Sequence, residues 1–523
     1  MRLLEVLKKV AIEFCSHTSL HGMQYTVEPR RALIERLFWR LAIFGALVGS
    51  VLSFRAICNA KYFQSQVITS IVATSYPTFT LEQPAITICN ANRAFKSSAD
   101  RFFKTMNFHD ESEKEELQHS LPKLIEHFSI PNIRQAISDR HMIMKWTDYL
   151  QNNGWTLNEF MLYLSQKCSD MIVGCTIGMT EVDCSDIVST TRTGLGFCCS
   201  VAYMQNRDAL LVRHAPESPQ KTSIPFVQSG YENGLSFLLN LSQQDSTFSE
   251  FYKNSAAVFI HSPMDFPSIH TVKIYISDGA ETFSRIKSTG MLYTPGLEDL
   301  DPISRQCYME DEIKLKYFDH YTFGNCFMEN HMELLISRCN CLKPQYPNQG
   351  IFKECTIFNH LCVNSLTYPH VGGRRIFITI NGSRIPCLER CVYSRFSPAV
   401  TVGRLDGHQY NTNKPWNGMN VTGLTVLHTF QQSFESRAYK RTALVSHWRK
   451  IVVVGGLAGV VFGLNLLNIV EFIYFLTSPF FSYLKKQFCS PGNNKKVGID
   501  HRPNVEQKSI RIFVTSRPNV ISQ

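Results

Sequence analysis

The sequence predicts an α+β membrane protein in which two transmembrane helices flank a large, disulfide-rich extracellular domain. Three observations support this fold class: an apolar run near each end of the chain, 14 cysteines between the runs, and strand-like and helix-like segments mixed in the central block. The composition, with 44% hydrophobic and 18% charged residues, is that of folded protein. The net charge of +10 is dispersed, and no zinc finger, homeodomain or phosphate-binding loop accompanies it, so no nucleic acid partner is expected.

The C-terminal apolar run, Ile451 to Phe481, contains one formal charge, Glu471. It is longer than the roughly 20 residues that a membrane-spanning helix needs. Small and polar residues recur along it at helical spacing: Gly455, Gly459 and Gly463, then Asn465, Asn468 and Glu471. Polar side chains at membrane depth usually mark an ion or substrate path. The alternative is a passive anchor, packed through its glycines and joined to neighbours through its asparagines.

The N-terminal apolar run, Leu37 to Ile57, has an uninterrupted centre flanked by Arg40 and Arg55, which can reach the headgroups. A cleaved signal peptide is the alternative, but the long polar lead and the lack of a small-residue cleavage site argue against it. Basic residues beside both runs place both termini in the cytoplasm of a two-span plasma membrane protein. The predicted segments are a cytoplasmic N-terminus 1–36, a first span 37–58, an extracellular domain 59–450, a second span 451–481 and a cytoplasmic tail 482–523.

Cysteines and glycosylation motifs concentrate in the central block. An even set of cysteines in one compartment predicts disulfides in an oxidising environment. A zinc site at Cys339 and Cys341 is the alternative, but no matching histidine or CxxC partner accompanies them. The predicted glycosylation sites are Asn240, Asn381 and Asn420.

The central block alternates between strand-like and helical segments. A helix is predicted at 110–126, where the composition is acidic. Runs rich in β-branched residues predict strands at 83–90, 258–260, 271–276, 376–380 and 424–430.

Catalytic signatures are missing from the sequence. It has no HExxH, GxSxG or Walker loop, and its histidines lack metal spacing, so no enzyme activity, metal or cofactor is expected. His261, followed by Ser262 and Asp265, suggests a hydrolase only weakly, because such residues are common in turns.

Ordered motifs along the chain resemble those of the degenerin and epithelial sodium channel family, closest to its insect pickpocket branch. They are SLHG at 19–22, QPAITICN at 83–90, IHSP at 260–263, the run from Tyr321 to Pro347, and GGLAGVVFGLN with the following Glu471 at 455–471. The resemblance covers roughly residues 14–480 and includes motifs at both membrane boundaries.

The resemblance implies an amiloride-sensitive, sodium-permeable channel gated by a ligand or another stimulus. Three related subunits, identical or different, would assemble in the lipid bilayer, each with palm, finger, knuckle and thumb regions. The family's Gly-x-Ser selectivity tract falls on Gly463, Leu464 and Asn465, and Asn468 and Glu471 would follow in the pore. Its His-Gly gating motif falls on His21 and Gly22.

The resemblance also implies a disulfide framework, which here lacks one bridge. Asn330 and Ile385 stand where the family has a cysteine pair. The bridges implied are Cys307 with Cys391, Cys326 with Cys387, Cys339 with Cys362, and Cys341 with Cys355, and Cys89 and Cys198 are also expected in disulfides. The pairing of Cys168, Cys175, Cys184 and Cys199 is left open.

The pore departs from the family pattern too. Asn465 replaces the usual serine, Val452 occupies a gating position where bulky residues favour the open state, and Val453 stands where a polar residue is usual. We therefore expect an altered open probability, or a subunit that works only beside relatives. The alternatives are a non-conducting two-span receptor and a modulatory subunit. A purinergic-type trimeric channel is not favoured, because such a channel lacks the SLHG motif.

Overall fold

The computed structural model describes residues 11–59, 67–129, 138–204, 229–241, 245–249, 254–348, 350–356, 359, 362–363, 366, 376–380, 382–405, 416, 419–443, 447–475 and 477. The chain forms two compact units. One contains both chain ends, 1–56 and 450–523, and the other contains the central block, 57–449.

Eight helices are named here within the described residues. They are α1 Leu33–Asn59, α2 Lys96–Thr105, α3 Glu111–Ser129, α4 Arg140–Asn152, α5 Leu157–Leu164, α6 Phe323–Cys339, α7 His447–Phe462 and α8 Leu466–Phe475. Shorter helical turns lie at Gln24–Thr26, Thr78–Thr80, Cys168–Met171, Cys184–Ile187, Tyr231–Asn233 and Pro302–Arg305. The helix predicted at 110–126 is α3.

The strands all belong to the central unit. They are β1 Val67–Pro77, β2 Ala85–Asn90, β3 Asn92–Phe95, β4 Ile172–Ile177, β5 Thr180–Val182, β6 Val188–Thr193, β7 Gly196–Val201, β8 Leu235–Leu239, β9 Ser246–Ser249, β10 Ser255–His261, β11 Lys273–Ser277, β12 Ala280–Tyr293, β13 Cys307–Tyr308, β14 Phe377–Ile380, β15 Ser383–Pro386, β16 Glu389–Arg390, β17 Tyr393–Arg404, β18 Thr425–Gln431 and β19 Glu435–Ala443. Each of the five predicted strand segments overlaps one of them, namely β2, β10, β11, β14 and β18.

Two larger sheets organise the central unit. The first has eight strands in the order β1-β19-β12-β18-β8-β4-β5, with β17 also paired to β12, and the second has five in the order β11-β10-β2-β7-β6. In the first sheet β1 pairs with β19, so the strand that follows the first predicted span lies beside the strand that precedes the second. Distant parts of the chain therefore share one sheet, as the sequence predicts.

Helices α2 to α5 pack around an aromatic core that includes Phe102, Trp146 and Phe160, all fully buried. Helix α5 begins with a capping box, in which the Thr156 side chain accepts from the Glu159 backbone and Glu159 reaches back to Thr156. Local sequence thus fixes where this helix starts, and its apolar face fixes what it packs against.

Seven disulfides tie the central unit together, and they include the four implied by the family pattern. The other three are Cys89–Cys198, Cys168–Cys199 and Cys175–Cys184, which supply the pairing that the sequence left open. Cys339 and Cys341 are therefore bridged to other cysteines and are not zinc ligands.

The missing eighth bridge has a non-covalent substitute. Asn330 of α6 donates from its side-chain amide to the carbonyl of Phe377 at 2.5 Å, and Ile385 pairs with Ile378 across the β14–β15 hairpin. A hydrogen bond and apolar packing thus join helix and hairpin where the family has two cysteines.

The two predicted spans differ in the structure. Helix α1 is continuous, and an 18-residue window within its residues 33–56 has a mean hydropathy of 1.8. The second run is not one helix: α7 and α8 meet at 67° on either side of a break at 463–465. This corrects the expectation of an uninterrupted helix from Ile451 to Phe481, whose last residues, apart from Thr477, lie outside the described residues.

Candidate pore and gating site

The break between α7 and α8 is a helix stop followed at once by a helix start. Gly463 has a φ of +67°, the left-handed conformation that favours glycine just after a helix, and its N–H donates to the Gly459 carbonyl at 2.8 Å. A side chain at this position would be strained. Gly463 therefore ends α7, whereas the sequence pattern suggested only a packing face.

Asn465 and Asn468 start α8 by capping it reciprocally. The Asn465 side-chain oxygen accepts from the Asn468 N–H at 3.1 Å, and the Asn468 side-chain oxygen accepts from the Asn465 N–H at 2.7 Å. This is the geometry of a capping box, with Asn at both positions. The two oxygens that could face a cation are thus engaged with backbone donors within the same chain.

Glu471, one turn further along α8, is bound by the N-terminal leader, the described residues 11–32 that precede α1. Its carboxylate accepts from the hydroxyls of Thr18 at 3.2 Å and Ser19 at 3.2 Å. Asn468, which is 4% exposed, donates to the Ser19 hydroxyl at 2.7 Å. The single acidic residue of the apolar run is therefore stabilised by hydroxyl and amide donors of its own chain.

His21 lies against the break itself. The backbone N–H of His21 donates to the Phe462 carbonyl at 3.0 Å, so it satisfies one of the carbonyls left free at the end of α7. A Cβ added to Gly463 would lie 2.7 Å from Nε2 of His21, closer than real Cβ contacts allow. Any larger residue at 463 would require the His21 ring to move.

Aromatic contacts hold the leader against both helical segments. Gly22, with a φ of +77°, lies so close to the Trp39 ring of α1 that an added Cβ would be 3.2 Å from it. Tyr25 packs on Trp39 with ring centroids 4.8 Å apart, and Phe14 contacts Phe472 edge-on at 5.9 Å. The leader thus connects α1, the break and α8.

The structure brings together most, but not all, of the residues predicted for the pore and gate. His21, Gly463, Asn468 and Glu471 lie in one hydrogen-bonded or packed cluster with Asn465. Leu464, predicted as the central residue of the filter, is 44% exposed in the single chain. The predicted gating residues Val452 and Val453 lie about 16 Å further along α7, from a rise of about 1.5 Å per residue.

The residues missed by sequence reasoning are Thr18, Ser19 and the Phe462 carbonyl. Ser19 belongs to the SLHG motif, but nothing in its local pattern reveals a partner 452 residues away. A hydroxyl pair near the membrane was the only available signal.

In the central unit, the group that resembled a hydrolase triad has no such geometry. His261 is 3% exposed, its Nε2 bonds the Thr87 hydroxyl at 2.8 Å, and its Nδ1 bonds the Ser262 carbonyl at 2.8 Å. Burial lowers the pKa of His261 to about 4. The Ser262 hydroxyl instead donates to Glu82, so His261 is a buried structural histidine.

Two acidic residues of the central unit, Asp265 and Asp301, have pKa values that are shifted in opposite directions. Asp301 accepts from the Ser304 N–H at 3.0 Å, and these hydrogen bonds lower its pKa. Burial raises the pKa of Asp265 to about 6. Among the described residues its Oδ1 is buried with no hydrogen-bond partner.

A long apolar helix, a second apolar run broken at a glycine, and a disulfide-rich domain between them are typical of a protein that crosses the membrane at α1 and, if α7 and α8 form one span, a second time. The polar cluster at the break is typical of a protein with an ion or substrate path.

The comparisons with known proteins identify the class more closely. The family model "Amiloride-sensitive sodium channel" matches residues 14–475. Sodium channel protein Nach of Drosophila melanogaster is 22% identical over 90% of this chain and 87% of its own length, and Pickpocket protein 28 of the same organism is 21% identical over 90% and 78%. Acid-sensing ion channel 2 of Homo sapiens is 22% identical over 88% and 84%. The chain belongs to the amiloride-sensitive sodium channel family.

Proposed function

We propose that this protein is a subunit of a sodium-permeable, amiloride-sensitive channel. Residues 463–465 would form its narrowest point, and the N-terminal leader would control that point. The observation that carries the proposal is the break at Gly463, where a glycine, two asparagines, a glutamate and the leader meet. A passive anchor requires neither the break nor the hydrogen-bonded network that surrounds it.

The described residues of one chain supply at most two spans, too few to enclose a water-filled path alone. We therefore propose that three subunits, identical or related, place their second spans around a common axis. The central unit would lie outside the cell and both termini inside, at the plasma membrane. Seven disulfides support exposure of the central unit to an oxidising compartment. Asn420 is exposed and Asn240 half-buried, whereas Asn381 lies outside the described residues.

The hydrogen bonds at the break suggest how gating and conduction are linked. A stimulus that rotates α7 or α8 would have to change the angle at Gly463, and so disturb the bonds from His21 to Phe462 and from Ser19 to Glu471. The leader would stabilise one angle over another. Its contribution is the difference in its contacts between the closed and open states.

The filter chemistry also follows from the caps. Since the side-chain oxygens of Asn465 and Asn468 each accept a backbone N–H group, each has one lone pair left with which to replace water around an ion. Backbone carbonyls at the break would supply the other ligands, and carbonyl rings are used by other channels for cation selection. Three asparagine side chains would also narrow the path more than three serines.

A modulatory subunit is the second candidate, and the same caps favour it. With Asn465 and Asn468 engaged and the apolar Leu464 between the two helices, a homotrimer would have few side-chain oxygens at its narrowest point. Such a chain would alter the current of a related subunit and carry little current alone.

The test is voltage-clamp recording from oocytes that express the chain alone and with a related subunit. We expect an amiloride-sensitive sodium current in at least one case, and a changed lithium-to-sodium permeability ratio for Asn465→Ser, which keeps a capping side chain. Tyr474→Phe, on the exposed side of α8, is the matched control and should leave the ratio unchanged.

The outcomes separate the candidates. Current from the chain alone supports a conducting subunit. Current only in co-expression, with a lithium-to-sodium permeability ratio that changes in Asn465→Ser, supports a heteromeric channel. A change in the current of the related subunit, with a permeability ratio that Asn465→Ser leaves unchanged, supports a modulatory role. No effect on current in any combination, with the protein at the cell surface, would exclude both and favour a receptor.

A further inference from the structure

The beginning of α1 presents one face to the leader and leaves the rest of its surface open. Phe38, Leu41 and Phe44 are 61%, 61% and 64% exposed in the single chain. Trp39 and Ile43 are partly buried, and they lie four residues apart, which places them on the same face of the helix. The face that carries Trp39 is therefore the one that meets the leader.

Arginine side chains of α1 fix the path of the leader back along the helix. Nη2 of Arg36 donates to the Pro29 carbonyl at 2.7 Å, which closes the turn just before the helix. Nη2 of Arg40 donates to the Thr26 carbonyl at 3.2 Å, and Thr26 is only 8% exposed. Arg40, expected from the sequence to reach the headgroups, thus also holds the leader.

Trp39 packs on two residues of the leader. The ring of Tyr25 lies 4.8 Å from the Trp39 ring, centre to centre. A Cβ added to Gly22 would lie 3.2 Å and 3.3 Å from two carbons of the Trp39 ring, and 3.8 Å from Cδ1 of Ile43. Gly22 has a φ of +77°, so glycine permits both the turn of the backbone and the close approach of the ring.

Gly22 directly follows His21, the residue that binds the break. The N–H of His21 donates to the Phe462 carbonyl, and its ring lies beside Gly463. Consecutive Cα atoms are about 3.8 Å apart across a trans peptide bond. One peptide unit therefore separates the residue that contacts α1 from the residue that contacts the break.

We propose that Trp39 is a positioning residue for the break, which couples the first span to the second within one subunit through Gly22 and His21. A displacement of α1 at Trp39 would move Gly22, and so disturb the hydrogen bond from His21 to Phe462. The effect on gating rests on the channel proposed above. The coupling itself is a property of one folded chain and does not require a current.

A purely structural role for Trp39 leads to a different expectation. If Trp39 only anchored the leader, its loss would loosen residues 20–26 and leave the break unchanged, because the break has hydrogen bonds of its own at Gly463, Asn465 and Asn468. If Trp39 is coupled to the break, both segments respond to its loss. Since such a coupling is reciprocal, Gly463→Ala should also loosen residues 20–26.

The experiment is amide hydrogen exchange of the purified full-length protein in lipid nanodiscs, measured in peptides that cover 20–26 and 460–468. Trp39→Leu should raise the exchange rate about tenfold or more in both peptides, and Trp39→Phe, which keeps a ring, by less than about threefold. Phe44→Leu, which alters an exposed aromatic residue of the same helix, should change neither. Unchanged exchange in α5 of the central unit shows that each variant is folded.

A double variant tests the route of the coupling. In a protein that already carries His21→Ala, Trp39→Leu should change the exchange rate of 460–468 by less than about twofold, because the link is already lost. The exchange rate of 20–26 should still rise, since Trp39 packs on Gly22 and Tyr25 without the histidine. An undiminished response of the break in this background overturns the proposed route.

Current recordings test the consequence for gating in a subunit combination that conducts. Trp39→Leu should change the ratio of open to closed time about fivefold or more, and less than about twofold when His21→Ala is present. Exchange that rises in the leader alone, or in neither peptide, overturns the coupling. An unchanged ratio of open to closed time overturns the role of Trp39 in gating. If no combination conducts, the channel proposal fails, whereas exchange at the break still decides the coupling.

Discussion

Replacing Gly463 with alanine should test whether the break between α7 and α8 matters for gating. The left-handed conformation at Gly463 costs a non-glycine residue about 1–2 kcal/mol. The new Cβ would also lie 2.7 Å from Nε2 and 2.9 Å from two ring carbons of His21, so the exposed histidine ring would have to move. We expect a total penalty of about 2 kcal/mol against the broken arrangement, which corresponds to about a 30-fold change in the equilibrium between arrangements.

The matched control is Gly455→Ala. Gly455 lies within α7 and has no described atom near the position of an added Cβ, so alanine there should be neutral or should stabilise the helix by up to about 1 kcal/mol. Both variants remove one glycine from the same apolar run and add the same methyl group. A difference between them therefore reports on the break and not on hydrophobicity.

The assay is single-channel open probability, in the subunit combination that conducts, with surface expression measured in parallel. His21→Ala combined with Gly463→Ala should recover the part of the effect caused by the ring and leave the backbone part, and the coupling of the two changes gives the size of that contact. If Gly463→Ala and Gly455→Ala have the same open probability, the proposed role of the break is wrong.

Three further predictions concern stability and capping. Asp265→Asn should stabilise the protein by up to about 3 kcal/mol above pH 6. Burial raises the pKa of Asp265 to about 6, so the stability that this group gives the wild type is lost as pH rises from about 4 to 6. The free energy of unfolding, measured across pH 4–8, tests this, and a difference between the two proteins that does not change with pH would refute it. Asn330→Cys with Ile385→Cys should form the missing bridge, so the double variant should have no more titratable thiols than the wild type. The bridge should stabilise the protein by about 1 kcal/mol or less, because the Cys326–Cys387 disulfide already closes nearly the same loop. Two additional free thiols in the folded variant would show that the cysteines do not meet. Asn465→Ala should destabilise the start of α8 by about 1 kcal/mol, whereas Asn465→Ser should not, because only alanine removes the cap. Equal unfolding temperatures of the alanine and serine variants would argue against capping at this position.

The sequence predicts the overall architecture well because its strongest signals are long-range constraints on composition. Apolar runs, cysteines concentrated in one block and β-branched segments each reflect a physical requirement that does not depend on detailed geometry. The family resemblance added four disulfides, which residue spacing alone could not supply. The pairings of Cys168 and Cys175 needed the structure, because they depend on how the β4–β5 and β6–β7 strands approach one another.

The site itself was predictable only in part, for a different reason. The partners of Glu471 are hydroxyls in the leader, and no local pattern links residues more than 450 positions apart. A buried group such as Asp265 looks like an ordinary charged residue in the sequence. Its chemistry arises only after folding removes it from water.

The filter tract shows how one short segment can meet two requirements at once. Gly-Leu-Asn at 463–465 reads as a filter by resemblance, but it is also a helix stop followed by a helix cap. The family's serine at the last position would serve as an equally good cap, because Ser and Asn are both favoured there. Asn465 is therefore a conservative replacement for the fold of the break. Its larger side chain changes only the space beside it, so we expect differences from relatives in ion selection rather than in the formation of the break.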